Sequence, residues 1–252
     1  MNHNLYSRIM LAIFFSVSII ACNNNKESEE TTSTTDTTNT TATMDNVDAV
    51  AAAPGLYKVV ADSAGIRILD VTYKPGDSSA MHWHPDYALY LIEGGTSTFY
   101  MKDGSKMEST MSSGMSAIRP AETHSVKNTG NTPVHVLVFE VNRSGSMSPA
   151  DPMDATKVAS SQYKSLADSM GIRIVEVNYK PGEESAMHAH PDLAFYVINA
   201  SKIEFTKKDG SKQVADLPKG AMAVMPAEAH SVKNIGKTAF KGILVEMHRA
   251  MK

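Results

Sequence analysis

Residues 76–95 read GDSSAMHWHPDYALYLIEGG, and the fold turns on how His82-Trp83-His84 at the centre of this stretch is read. The flanking residues are rich in β-branched and aromatic types, which fits a strand. Successive strand side chains point to opposite faces. His82 and His84 therefore project together and Trp83 projects the other way. Two imidazoles on one face, about 6–7 Å apart along the strand, can grip one metal ion. A lone strand histidine is more often a hydrogen-bonded core residue, so the pair is what gives the reading weight. Residues 182–201 read GEESAMHAHPDLAFYVINAS and repeat the pattern with His188 and His190.

The repetition extends over a domain's length. Tyr57–Arg143 and Tyr163–Arg249 align without a gap, since 188 − 82 and 230 − 124 both give 106. Shared runs include YKPG, KDGSK and HSVKN. A constant offset of this size marks a tandem duplication, not a solenoid, whose repeats are shorter. Residues 56–144 and 162–252 are the expected domains. Residues 145–161, rich in Ser, Pro and Asp, read as a linker.

Within each copy the runs GIRILDVTY, SAMHWH, YALYLIEG, TSTFYMK, MSAIRP, HSVKN and PVHVLVFEV, or their counterparts, read as short strands separated by turn residues. Asp103-Gly104 predicts a hairpin with a type I′ turn. No stretch of the two copies shows an amphipathic helical period, so each copy is expected to be a small all-β barrel or sandwich. One strand is apolar on both faces, with Tyr87, Leu89 and Leu91 against Ala88, Tyr90 and Ile92. A strand covered on both sides reads like this. One face is expected to line the barrel and the other to pack between the copies.

These residues resemble the cupin superfamily over almost the whole of both copies. The first cupin motif, Gly-x5-His-x-His, then three or four residues, Glu-x6-Gly, is matched with the spacing of three by Gly76, His82, His84, Ala88 and Gly95. The second, Gly-x5-Pro, then His-x3-Asn, is matched by Gly114, Pro120, His124 and Asn128. The second copy supplies Gly182, His188, His190, Ala194, Gly220, Pro226, His230 and Asn234. The resemblance implies two tandem double-stranded β-helix (jelly-roll) barrels. It also implies a divalent metal held by His82, His84 and His124 in one and by His188, His190 and His230 in the other. The family's carboxylate ligand is replaced by Ala88 and Ala194. Three neutral ligands leave the ion's double charge uncompensated, which favours an anionic ligand or hydroxide.

Several other residues could serve such a site. Glu122 and Glu228 stand two residues before the third histidine, and Asp86 and Asp192 follow the His-x-His-Pro runs. They read as turn residues or as partners that orient an imidazole, in preference to direct ligands that restore the missing carboxylate. Tyr90 and Tyr196 share parity with the two alanines, so they read either as lumen residues that position a substrate or as packed core. Imidazole suits Fe, Zn, Ni and Cu, and Mn is a further candidate. Three-histidine cupin sites include dioxygenases, so the resemblance implies a dioxygenase-like oxidoreductase on a small organic molecule. The other reading is a cupin that holds a metal or small ligand without turnover.

Outside the copies, Arg8 precedes the apolar run Ile9–Ala21, which is short for a bilayer span and reads as a signal peptide over residues 1–21. Ile19-Ile20-Ala21-Cys22 resembles the bacterial lipobox, which implies lipidation at Cys22, the single cysteine of the chain. Residues 22–55 are rich in Thr and Asn and read as a disordered tether. The implied location is the bacterial cell envelope, lipid-anchored, with the outer membrane as the expected membrane. A net charge of −3 gives no basis for nucleic-acid binding.

Overall fold

The computed structural model describes residues 46–252. The signal peptide, Cys22 and most of the expected tether lie outside the described residues. Each copy folds into nine strands. The first has β1 (Tyr57–Ser63), β2 (Ile66–Tyr73), β3 (His82–His84), β4 (Tyr87–Glu93), β5 (Gly95–Met101), β6 (Lys106–Met111), β7 (Ser116–Arg119), β8 (Glu122–Asn128) and β9 (Val134–Val141). The second has β10 (Tyr163–Ser169), β11 (Ile172–Tyr179), β12 (His188–His190), β13 (Leu193–Asn199), β14 (Ser201–Lys207), β15 (Lys212–Leu217), β16 (Met222–Met225), β17 (Glu228–Asn234) and β18 (Phe240–Met247). In each copy a five-stranded sheet, β1-β2-β9-β4-β7 or its counterpart, faces a four-stranded sheet, β3-β8-β5-β6 or its counterpart. All pairings within them are antiparallel. This is the expected pair of tandem cupin barrels.

The sequence reading overlooked β1 and β6. Both are mostly exposed, with polar residues on positions that an alternating pattern would leave apolar. Turn chemistry also differs. Asp103 keeps a negative φ and only Gly104 is left-handed, at 85°, so that hairpin is not type I′. The two-residue loop with positive φ at both centres is Ala64-Gly65, at 51° and 68°, joining β1 to β2. A Cβ at Gly65 would also lie 2.9 Å from Arg143 Cγ, so the site needs glycine on two counts.

β4 divides its faces as expected. Tyr87 and Leu91 join Val71, Tyr73, Val126, Val134 and Val138 in the interior of the first barrel. Ala88 and Tyr90 join Ile66, Ile68, Leu137 and Phe139 on the opposite face. That outer face meets its counterpart, Ile172, Ile174, Ala194, Tyr196, Ile243, Val245 and Met247, in one core shared by the two barrels. Tyr90 and Tyr196 stack there with ring centroids 5.8 Å apart. They are packed between the barrels, not set in either lumen. Parity with Ala88 and Ala194 led outward because those two alanines themselves face the neighbouring barrel.

Reciprocal ion pairs close the edges of the shared core. Arg143 reaches Asp192 at 2.7 Å and Arg249 reaches Asp86 at 2.7 Å. The second carboxylate oxygen of Asp86 accepts the Ala121 N–H, and that of Asp192 accepts the Ala227 N–H. These aspartates tie the two histidine-bearing segments of one barrel to the other barrel, and they orient no imidazole.

Residues 46–55 and 145–161 depart from their expected roles as tether and linker. Each holds a single helical turn, α1 (Ala49–Ala52) and α2 (Ala155–Val158), capped by the side chains of Asp48 and Asp154. Ala49 and Ala155 are fully buried. Asp48 pairs with Arg67 of β2, and Asp154 lies 2.8 Å from Arg173 of β11. The duplicated unit thus reaches back at least to Asp48 and Asp154, nine residues before Tyr57 and Tyr163.

Candidate metal centres

Strands β3 and β8 pair so that His82 lies opposite His124, and β12 and β17 place His188 opposite His230. In each barrel the ligand atoms of the three imidazoles lie within 4.8 Å of one another. All six rings are buried or nearly so. Hydrogen bonds fix which nitrogen of each ring is available. His82 Nδ1 donates to the Ala80 carbonyl at 2.8 Å, and His84 Nδ1 donates to Glu140 at 2.6 Å. This leaves both Nε2 atoms as the lone-pair nitrogens, with that of His82 facing the Tyr57 hydroxyl at 2.9 Å. His188 and His190 do the same through Ala186 and Glu246. The Nδ1 atoms of His124 and His230 are buried without a hydrogen-bond partner. Three imidazoles whose ligand atoms converge, two of them oriented through Nδ1, fit a divalent metal ion, and both triads can hold one.

Protonation supports the same use. Burial and neighbouring imidazoles push His82 and His188 down to about 4 and His230 to about 3. These rings are neutral near pH 7, the form that ligates.

The residues behind the triads were not read from the sequence. Glu140 and Glu246 are fully buried on β9 and β18, and each bridges a histidine to an arginine. Glu140 takes His84 at 2.6 Å and Arg67 at 2.5 Å, and Glu246 takes His190 at 2.6 Å and Arg173 at 2.7 Å. Such a carboxylate fixes the ring's tautomer and raises its basicity. Burial raises the Glu246 carboxyl, but His190, His248 and Arg173 outweigh it and hold it well below the usual range. The available signal was one acid in each otherwise apolar final strand, FEV and VEM. Tyrosines were missed as well. Tyr57 hydroxyl lies 2.9 Å from His82 Nε2 and 2.8 Å from Tyr73 hydroxyl, and Tyr163 and Tyr179 repeat this beside His188. Burial pushes the Tyr57 and Tyr163 phenols well up, so they are donors.

Beyond this shared frame the two centres differ. In the first barrel Tyr87 hydroxyl donates to Glu122 at 2.5 Å, and Arg119 reaches the same carboxylate at 3.0 Å. Glu122 Oε1 stands 3.6 Å from His124 Nδ1, close but beyond a hydrogen bond. Burial would raise the Glu122 carboxyl, yet His124, Arg119 and Tyr87 hold it well below the usual carboxylate range. In the second barrel Leu193 replaces Tyr87 and Met225 replaces Arg119. Glu228 is half-exposed there and pairs with Lys207 at 3.1 Å. The first barrel also holds a partly open cavity of about 60 Å3 lined by His84, His124, Tyr57, Tyr87, Ser97 and a wall of Leu, Val, Phe and Met. At the corresponding places of the second barrel, Ile203 and Phe240 pack with Phe205, Leu217 and Leu244.

Residues 69–140 match the family described as Cupin domain. No curated protein matches the sequence. Among solved structures, oxalate decarboxylase of Bacillus subtilis superposes with a TM-score of 0.51 at 16% identity, over 75% of this chain and 71% of that one. AerE of Microcystis aeruginosa superposes with a TM-score of 0.54 at 15% identity, over 76% and 91%. At these identities the likeness concerns the fold, a two-barrel cupin.

Proposed function

We propose that this protein is a lipid-anchored bicupin of the bacterial cell envelope whose first barrel is a metal-dependent centre for a small organic molecule. Dioxygenase-like oxidation is the chemistry we assign it, with iron as the metal. The second barrel holds its metal beneath a more apolar set of side chains. The carrying observation is that Tyr87, Glu122 and Arg119 stand beside His84 and His124 at an open cavity, while Leu193 and Met225 stand in their places in the other copy. When bound, the metal supplies positions for an oxygen of the substrate and for O2, both atoms of which end in the product. With three neutral imidazoles and no protein carboxylate, the charge favours an anionic oxygen head. The chain's own part is positioning. Tyr57 and Tyr87 present hydroxyls at the metal end, Glu122 holds Tyr87 in place, and the apolar wall keeps water out.

Oxalate, named in the Bacillus protein, is a dianion. A wall of Leu89, Leu91, Val126, Val134, Val136 and Val138 desolvates such an ion at considerable cost. A substrate with one anionic head and an apolar body suits this lumen better. The anchor rests on the Ile19-Ile20-Ala21-Cys22 lipobox resemblance. The same apolar wall favours a second reading, a barrel that retains a ligand without turnover.

The test is metal analysis of the full chain followed by oxygen uptake. Two equivalents of metal, and uptake with small anionic organic molecules after iron loading, are expected. Metal binding without uptake across such a panel leaves the second reading. No metal after loading with Fe2+, Mn2+, Ni2+, Zn2+ or Cu2+ overturns both. Globomycin-sensitive processing and labelling by radioactive palmitate, lost in Cys22→Ala, tests the anchor.

A further inference from the structure

We infer that Ser97 is the specificity-determining residue of the first barrel, selecting a slim unbranched aliphatic acid that carries a second oxygen at its far end. The inference rests on the proposed reading that this lumen takes a small molecule at its metal.

Ser97 is on β5, with its side chain on the same side as Phe99 and fully buried in the cavity wall. Its Oγ has no hydrogen-bond partner in the protein. A buried hydroxyl left unsatisfied is costly, so natural proteins supply a partner. Every other side chain of that cavity away from the tyrosine and histidine end is apolar: Leu89, Leu91, Phe99, Met111 and the four valines. The neighbouring Thr98, which faces the other way, has Glu108 and Thr129 for company. Ser97 thus presents a single unused polar atom at a place where nothing in the chain can use it.

Position along the barrel sets the ligand's shape. Met101 on β5 pairs with His124, and Ser97 pairs with Asn128, four residues along each strand. The metal end and the Ser97 end are therefore separated by roughly 13 Å of strand. The cavity is small. Its 60 Å3 is well under the roughly 150 Å3 that admits a benzene ring. An unbranched chain fits such a space and a ring does not. The anionic head belongs at the metal, where three neutral imidazoles leave the charge uncompensated, and the far oxygen belongs at Ser97.

The duplicated copy provides an internal control. Ile203 stands where Ser97 stands, fully buried in the core of the second barrel. With an apolar side chain in place of the hydroxyl, that barrel offers no partner to the far oxygen of such a ligand.

The experiment measures binding to the full chain, purified in detergent and loaded with Zn2+, by calorimetry. The probes are 3-hydroxypropionate, 4-hydroxybutyrate and 5-hydroxyvalerate, each beside the acid of the same length without the hydroxyl. One length should prefer the hydroxy acid by about fivefold to tenfold, as one buried hydrogen bond provides. Ser97→Ala should erase that preference while leaving the plain acid's affinity and the metal content unchanged, and Ser97→Thr should restore part of it. Equal affinity within every pair, or a preference that survives Ser97→Ala, overturns the inference and assigns Ser97 to an ordered water. Two metal equivalents with no acid of the series bound also overturns it, while the metal reading stands. Loss of metal itself would instead count against the proposed function.

Discussion

The two barrels share a backbone, a histidine triad and the buried glutamate and tyrosines behind it, yet they differ in what faces the space above the metal. In the first, Tyr87, Arg119 and Ser97 are polar and the lumen is open. In the second, Leu193, Met225 and Ile203 are apolar, and Ile203 packs with Phe205, Leu217, Phe240 and Leu244. Duplication makes this comparison unusually clean, because the frame is constant while its contents vary. The parts kept in both copies are those needed to hold an ion. The parts kept in one are those that would meet a second molecule. Metal binding and ligand binding are thus separable requirements on the same fold.

The strongest way to break the comparison is to remove one triad at a time. His82, His84 and His124→Ala should remove one of two metal equivalents and all ligand binding, and His188, His190 and His230→Ala should remove one equivalent only. Equal loss of ligand binding in both variants would refute the division. Acid should affect the barrels unequally next. The folded-state values of His82, His188 and His230 lie below the unfolded value, so the unfolded chain binds more protons between them. Stability of the metal-free protein is full above about pH 6.5 and falls as pH drops towards 4. Two of the three rings are in the second barrel, so its amides should lose hydrogen-exchange protection first.

Glu140→Gln and Glu246→Gln should each weaken metal affinity by about 10- to 100-fold, since each fixes a ligand ring. Competition with a chelator would show it, and similar losses are expected because this part of the frame is shared. Smaller still, Ile203→Ser should cost about 2–4 kcal/mol in urea unfolding by opening a buried apolar site. Ser97→Ile, which imports the second barrel's residue, should be neutral or mildly stabilising. The smallest effect belongs to the clasp between barrels. Asp86→Asn should cost up to about 1 kcal/mol, since Asp86 and Arg249 are partly solvated and the amide oxygen keeps the Ala121 hydrogen bond.

Local chemistry was legible in the sequence wherever it coincided with spacing. His82 and His84 fall two apart on a strand, the third histidine follows from the motif, and the constant offset of 106 shows the duplication. The two-sided apolar pattern of β4 correctly anticipated a shared core. What spacing could not reveal was which face was which. Tyr90 shares parity with Ala88, and only the fold shows that this parity leads to the other barrel. Glu140 and Glu246 were hidden because their partners, Arg67 and Arg173, lie 73 residues away in sequence. Tyr57 and Tyr73 were hidden because a strand tyrosine is ordinary until a histidine is found against its hydroxyl. The start of the unit was obscured by composition, since Asp48-Ala49 and Asp154-Ala155 sit in stretches that otherwise read as spacer.

The core between the barrels has one consequence for how the molecule came to have two different halves. Its contacts are reciprocal: Tyr90 meets Tyr196, Arg143 takes Asp192 while Arg249 takes Asp86, and each arginine also donates to the other's carbonyl. That is the isologous pattern of a two-fold homodimer, in which residue i of one subunit meets residue j of the other and the reverse holds too. A homodimer must change both of its sites at once, and its halves separate on dilution. Joined in one chain, the halves stay together at any concentration, and a substitution such as Ser97 against Ile203 alters a single barrel. Fusion turned a symmetric assembly into one in which each half could be altered alone.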